Sequence, residues 1–85
     1  MTNESNKPFT KIRDAALVAT IWKNSRKTGF SYSVEFSRVY TDEAGDFHES
    51  QTFSGGEILR IKRLADKAYD VIAEAKAEDK ESVKE

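Results

Sequence analysis

With one histidine and no cysteine, the chain has little material for nucleophilic, redox or thiolate-metal chemistry. His48 has neither a second ligand nor an orienting carboxylate at a ligand-type spacing, and a lone imidazole is a poor general acid–base. It reads as an exposed strand histidine. Asp42, Glu43 and Asp46 crowd one turn without the twelve-residue pattern of a calcium loop. Ser54-Gly55-Gly56 could cradle a phosphate at a helix start, but no Walker-type lysine follows it. The expectation is a protein that binds rather than catalyses, with no catalytic residue, no metal site, no cofactor and no small-molecule substrate.

Binding chemistry is better supplied. Trp22 is followed by Lys23, Arg26 and Lys27, and Tyr40 lies near Arg38. Lys11 and Arg13 precede them. Aromatic rings stack on bases, and lysine and arginine meet phosphates. The net charge of −1 conceals segregation. Residues 7–40 carry seven basic against two acidic side chains, residues 41–59 carry five acidic and none basic, and residues 60–67 turn positive again. Phosphate binding follows local potential, so the asymmetry matters only if the cations share a surface. The expected site comprises Lys11, Arg13, Trp22, Lys23, Arg26, Lys27, Arg38 and Tyr40, taking single-stranded DNA or RNA. The alternative is a protein-interaction module that uses the same sheet face.

The elements that must position these residues follow from periodicity. Residues 15–24, AALVATIWKN, place Leu17, Ala19 and Ile21 on one side of a strand and Val18, Thr20 and Trp22 on the other. The segment from Phe9 to Arg13 either extends it or forms a short strand of its own. NSRKTG, residues 24–29, is turn chemistry with Gly29 at its end. FSYSVEFSRVY, residues 30–40, alternates aromatic and aliphatic residues with serine and glutamate, as a half-buried strand does. A second turn at 41–46 contains Gly45, and FHESQTF, residues 47–53, reads as a polar, edge-like third strand. Ser54 and Glu57 have the spacing of a capping box, with Phe53 and Ile58 at the staple positions. Ile58, Ile61, Leu64, Ala65, Ala68, Val71, Ile72 and Ala75 then repeat at three–four spacing, which predicts a helix over about 55–77. Short turns make consecutive strands antiparallel. The class is therefore α+β: an antiparallel three- to four-stranded meander followed by one C-terminal helix packed on it.

Eighty-five residues bound the answer to one domain. The expected organisation is a polar tail over 1–8, a β-β-β(-β)-α domain over 9–77 and a charged tail over 78–85. A core this small, without disulfides, invites oligomerisation. Part of the helix stripe (Ile61, Leu64, Ala68, Val71 and Ile72) is a candidate for an isologous dimer contact. No apolar run reaches membrane-spanning length, and no secretory apolar core opens the sequence. A cytoplasmic location is the default.

The order of LVATIWKN, FSYSVEFSRVY, TDEAGDFHES and FSGGEILRIKRLA resembles the positive-cofactor-four family of transcriptional coactivators and their small bacterial relatives. It is also similar to short proteins of bacteria and mobile elements that share the KIR…ATIWKN…YSV series. The resemblance covers about residues 9–73 and rests on structural punctuation. It implies a homodimer that binds single-stranded DNA through strand faces and ridges, with helices in the dimer contact. Lys11, Arg13, Trp22, Lys23, Arg26, Lys27 and Arg38 would then meet the nucleic acid. The acidic stretch 42–49 and the near-neutral total depart from that pattern.

Overall fold

Alternation along the chain builds a four-stranded antiparallel sheet, and the computed structural model describes residues 7–84 of it and the helix that follows. The strands are β1 (Thr10–Asp14), β2 (Leu17–Arg26), β3 (Gly29–Thr41) and β4 (Phe47–Ser50), in spatial order β1-β2-β3-β4. A 3-10 turn at Gly55–Glu57 leads into helix α1 (Ile58–Lys84). This is the expected α+β meander with one helix packed on it. The expected tail over 1–8 lies mostly outside the described residues.

Register assigns the faces. Leu17 pairs with Arg38, Ala19 with Phe36, Ile21 with Val34 and Lys23 with Tyr32, while Ile12 pairs with Ala19 across β1. Cross-strand partners project to the same side, so these residues form one face. Helix α1 covers it. Leu17, Ala19 and Leu64 form the buried centre, with Ile12, Val34, Phe36, Phe53 and Ile61 packed around it. Leu64, Ala68 and Ala75 bring the helix onto the sheet at the spacing read from the sequence. The other face carries Lys11, Arg13, Val18, Thr20, Trp22, Glu35 and Ser37, and no helix lies over it.

One open alternative is decided and three element boundaries differ from expectation, each for a local reason. β1 is a separate strand, because Ala15 adopts φ 57 and turns the chain tightly before Leu17; alanine gives no sequence warning of a left-handed position. β2 continues through Arg26, which pairs with Gly29, so the turn narrows to Lys27-Thr28 and Gly29 takes φ 134. β4 stops at Ser50, whose hydroxyl accepts from the Thr52 amide at 3.1 Å. The helix runs to Lys84, past the expected end at 77. Its last turns contain neither glycine nor proline, and Asp79 ties them to the sheet.

The reach-back half of the expected capping box closes, and a backbone turn completes the segment. The Ser54 amide donates to Glu57 Oε1 at 2.9 Å, and the Glu57 amide donates to the Ser54 carbonyl at 3.0 Å. The resulting molecule is a slab of 53 × 30 × 15 Å with a radius of gyration of 15.4 Å. A compact domain of this length would have about 12 Å. The long helix and long β2–β3 ribbon account for the excess.

Candidate nucleic-acid interface

Small residues on the uncovered face are buried where long neighbours flank them. Thr20 sits between its partners Lys11 and Glu35, and Val18 between Arg13 and Ser37. Val18, Thr20 and Ser37 are less than 10 % exposed although no second layer covers them; side chains on the outer strands roof them instead. The result is a groove of about 370 Å³ floored by Thr20 and Ser37 and walled by Pro8, Lys11, Trp22, Glu35, Glu49 and Gln51. Serines 31, 33 and 37 continue along β3 on this side.

Trp22 is half-buried at the groove wall. Its indole Nε1 donates to Glu35 Oε1 at 3.2 Å, which fixes the ring on the uncovered side and places a carboxylate beside it. Lys11 lies one row away, and Arg13 one row further along β1. Arg26 ends β2 and donates from Nε to Ser31 Oγ at 2.9 Å. Lys27 is exposed in the adjoining turn. Five of the eight expected residues (Lys11, Arg13, Trp22, Arg26 and Lys27) therefore belong to this face or its rim.

The other three lie on the helix-bearing face. Lys23 shares the parity of Leu17, Ala19 and Ile21. Its Nζ bonds Asp79 Oδ1 at 3.0 Å and stands 4.1 Å from the centre of the Phe30 ring, with Phe9 and Tyr32 at 5.7 and 5.8 Å. Tyr32 completes the cluster by donating to Asp79 Oδ2 at 2.6 Å. The hydrogen bond from Tyr32, assisted by Lys23, holds the Asp79 carboxyl below its usual range. The Asp79 partner raises the Lys23 ammonium above its ordinary value, and desolvation raises the Tyr32 phenol. Lys23 is thus an internal clamp between sheet and helix.

Arg38 shares the parity of Phe36. Its Nη2 donates to the Thr52 carbonyl at 3.3 Å, and its Nε lies 3.5 Å from Glu57 Oε1, so it secures the start of the helix. Tyr40 stacks on His48 with centroids 5.4 Å apart, on the helix-bearing side and 43 % exposed. His48 Nε2 lies 2.7 Å from Asp42 Oδ2; this contact, with amides of the turn, lowers the Asp42 carboxyl below its usual range. Among the described residues no group of three or more acidic or histidine side chains gathers as a metal site.

Two cations that local sequence pattern did not single out join the edge. Arg13 and Asp14 on β1 meet Arg63, Leu64 and Lys67 of the helix around a cleft of about 220 Å³. Three positive side chains face one carboxylate there. The positive run at 60–67 was visible in the sequence, but only the lie of the helix along β1 brings it beside Arg13.

The expected dimer residues also divide. Leu64 and Ala68 are each 2 % exposed against the molecule's own sheet, and Ile61 packs on the same core, so these side chains are already used. Val71 and Ile72 are half-buried. Exposed apolar surface lies instead at Ile58, Leu59 and Tyr69. No helix among the described residues is long and apolar enough to cross a membrane.

Set against family models, curated proteins and solved structures, the chain has no match.

Proposed function

We propose that the uncovered sheet face binds a short stretch of single-stranded nucleic acid. The observation that carries this reading is the common orientation of Trp22, Lys11 and Arg13 on one open, concave face. A base stacks on the Trp22 ring, the small floor of Thr20 and Ser37 admits a sugar or a second base, and the backbone crosses β1. Phosphates then meet Lys11, Arg13 and, over the edge, Arg63 and Lys67. Stacking on one aromatic contributes about 1–3 kcal/mol, and each phosphate neutralised adds a salt-dependent increment. The resemblance to the positive-cofactor-four family points the same way.

Glu35 and Glu49 on the same groove favour a second reading, in which the face takes a basic, extended protein segment. Binding measured by fluorescence anisotropy separates the two. A labelled oligothymidylate should bind the native chain at low salt. Trp22→Ala and the Lys11→Glu/Arg13→Glu double variant should each weaken it at least tenfold, whereas Lys23→Met should not. Equal binding by all four proteins, or none by the native chain, contradicts the nucleic-acid reading.

A further inference from the structure

The register leaves part of the sheet without a neighbour. The Val39 amide of β3 donates to the Ala16 carbonyl at 2.8 Å. Odd-numbered residues of β3 therefore turn their backbone groups toward β2, and even-numbered residues turn theirs away. Arg38 and Tyr40 spend theirs on β4, opposite Ser50 and His48. β4 ends there, after four residues. The outward amides and carbonyls of Phe30, Tyr32 and Val34 thus have no strand beside them among the described residues.

This edge lacks the usual guards against a further strand. It contains no proline, its pairing with β2 runs without a bulge, and its helix-side residues Phe30, Tyr32 and Val34 carry no charge. Beside it, on the helix-bearing side, a groove of about 550 Å³ lies between the β2–β3 turn and the last third of the helix. Phe30 (47 % exposed), Ala73 and Ala77 are its apolar walls. Lys76 and Lys80 border it, and neither has an ion-pair partner among the described residues. Asp79 also lines it, but its carboxylate is held by Lys23 and Tyr32. A strand added to β3 would lie about 4.8 Å from it and point every second side chain to the helix side, toward this groove and its two lysines.

We propose that the free edge of β3 accepts an extended, acidic peptide segment of a partner protein as an added strand. The backbone groups of Phe30, Tyr32 and Val34 pair with its main chain. One apolar side chain enters between Phe30, Ala73 and Ala77, and carboxylates at alternate positions meet Lys76 and Lys80. Charge selects this occupant. The β3 of a second copy carries no carboxylate on its helix side, since its Glu35 lies on the uncovered face. A nucleic acid has no main-chain amides to complete the ladder. The contact uses the face opposite Trp22 and the edge opposite Lys11 and Arg13, so it stands independently of nucleic-acid binding.

Selection of a random displayed peptide library on the full chain, freed of nucleic acid, tests it. Enriched peptides should alternate apolar with acidic residues. A labelled synthetic copy of the most enriched peptide then serves as the probe in fluorescence anisotropy at low salt. Lys76→Glu/Lys80→Glu should weaken its binding about tenfold, whereas Trp22→Ala should leave it unchanged and oligothymidylate should not displace it. Both lysines are exposed, so thermal melts should show that variant folded. N-methylation of alternate peptide amides reads the ladder: one of the two sets should abolish binding and the other should spare it. At fixed pH, amide exchange at Phe30, Tyr32 and Val34 should slow when the peptide is bound. No enrichment, enrichment of basic peptides, equal tolerance of both N-methylated sets, or displacement by oligothymidylate would each overturn the proposal.

Discussion

Glu35 sets how well Trp22 can serve a nucleic acid. Its carboxylate holds the indole on the open face through the 3.2 Å hydrogen bond, yet it places a negative charge where a phosphate would pass. Glu35→Gln keeps an acceptor for the indole and removes the charge. Relief of about 1 kcal/mol of repulsion predicts roughly fivefold tighter oligonucleotide binding at low salt, read by anisotropy; weaker binding would assign the carboxylate to the ligand. Lys23 gives the opposite control. Lys23→Met should lower the unfolding midpoint, because Asp79 and Tyr32 lose their partner, while affinity is unchanged. Period-two parity already places Lys23 with Ile21 and Arg38 with Phe36, so their helix-side positions were readable. Nearness in sequence to Trp22 and to Tyr40 obscured that signal. The contribution of Arg63 and Lys67 to the β1 edge was not readable, because no local pattern states where a helix crosses a sheet.

At the level of elements, the last turns of α1 depend on the Lys23–Tyr32–Asp79 cluster, and pH should reveal it. Asp79 has a lowered pKa in the folded chain, so its contribution is present above the ordinary carboxylate range and is lost as pH falls through the depressed value, below about 4. Lys23 and Tyr32 are both raised, so theirs is complete below about 10 and lost as pH rises through the raised values. Helicity of the last turns, read by chemical shifts after residue 75, should fall at both extremes, and Asp79→Asn should abolish the acid limb. Core packing governs the other end of the helix. Leu64 is 2 % exposed in the central cluster, so Leu64→Ala should cost about 2–5 kcal/mol in denaturant unfolding. The alternation of β3 and the capped three–four repeat of α1 were legible because one face of each is apolar and the other polar. The Ala15-Ala16 turn was not, since a left-handed alanine carries no compositional mark. The helix end was missed because a charged, glycine-free segment reads alike as a solvated helix or a tail until Asp79 finds the sheet.

On the scale of the whole molecule, the slab gathers cations along one long edge and acids at one end. Lys11, Arg13, Arg63 and Lys67 gather along one long edge, whereas the acids of residues 42–49 occupy the β3–β4 end. This arrangement lets a chain of net charge −1 offer local positive potential. Four phosphate contacts predict that log K falls with log salt at a slope of about −3 for a single strand. The most direct test uses the chain's only tryptophan as its own reporter: Trp22 emission titrated with oligothymidylate at low salt. Saturable quenching, reversed by added salt with that slope, is the expected result. Emission that stays unchanged at low salt, where electrostatic attraction is greatest, would contradict a nucleic-acid groove on this face.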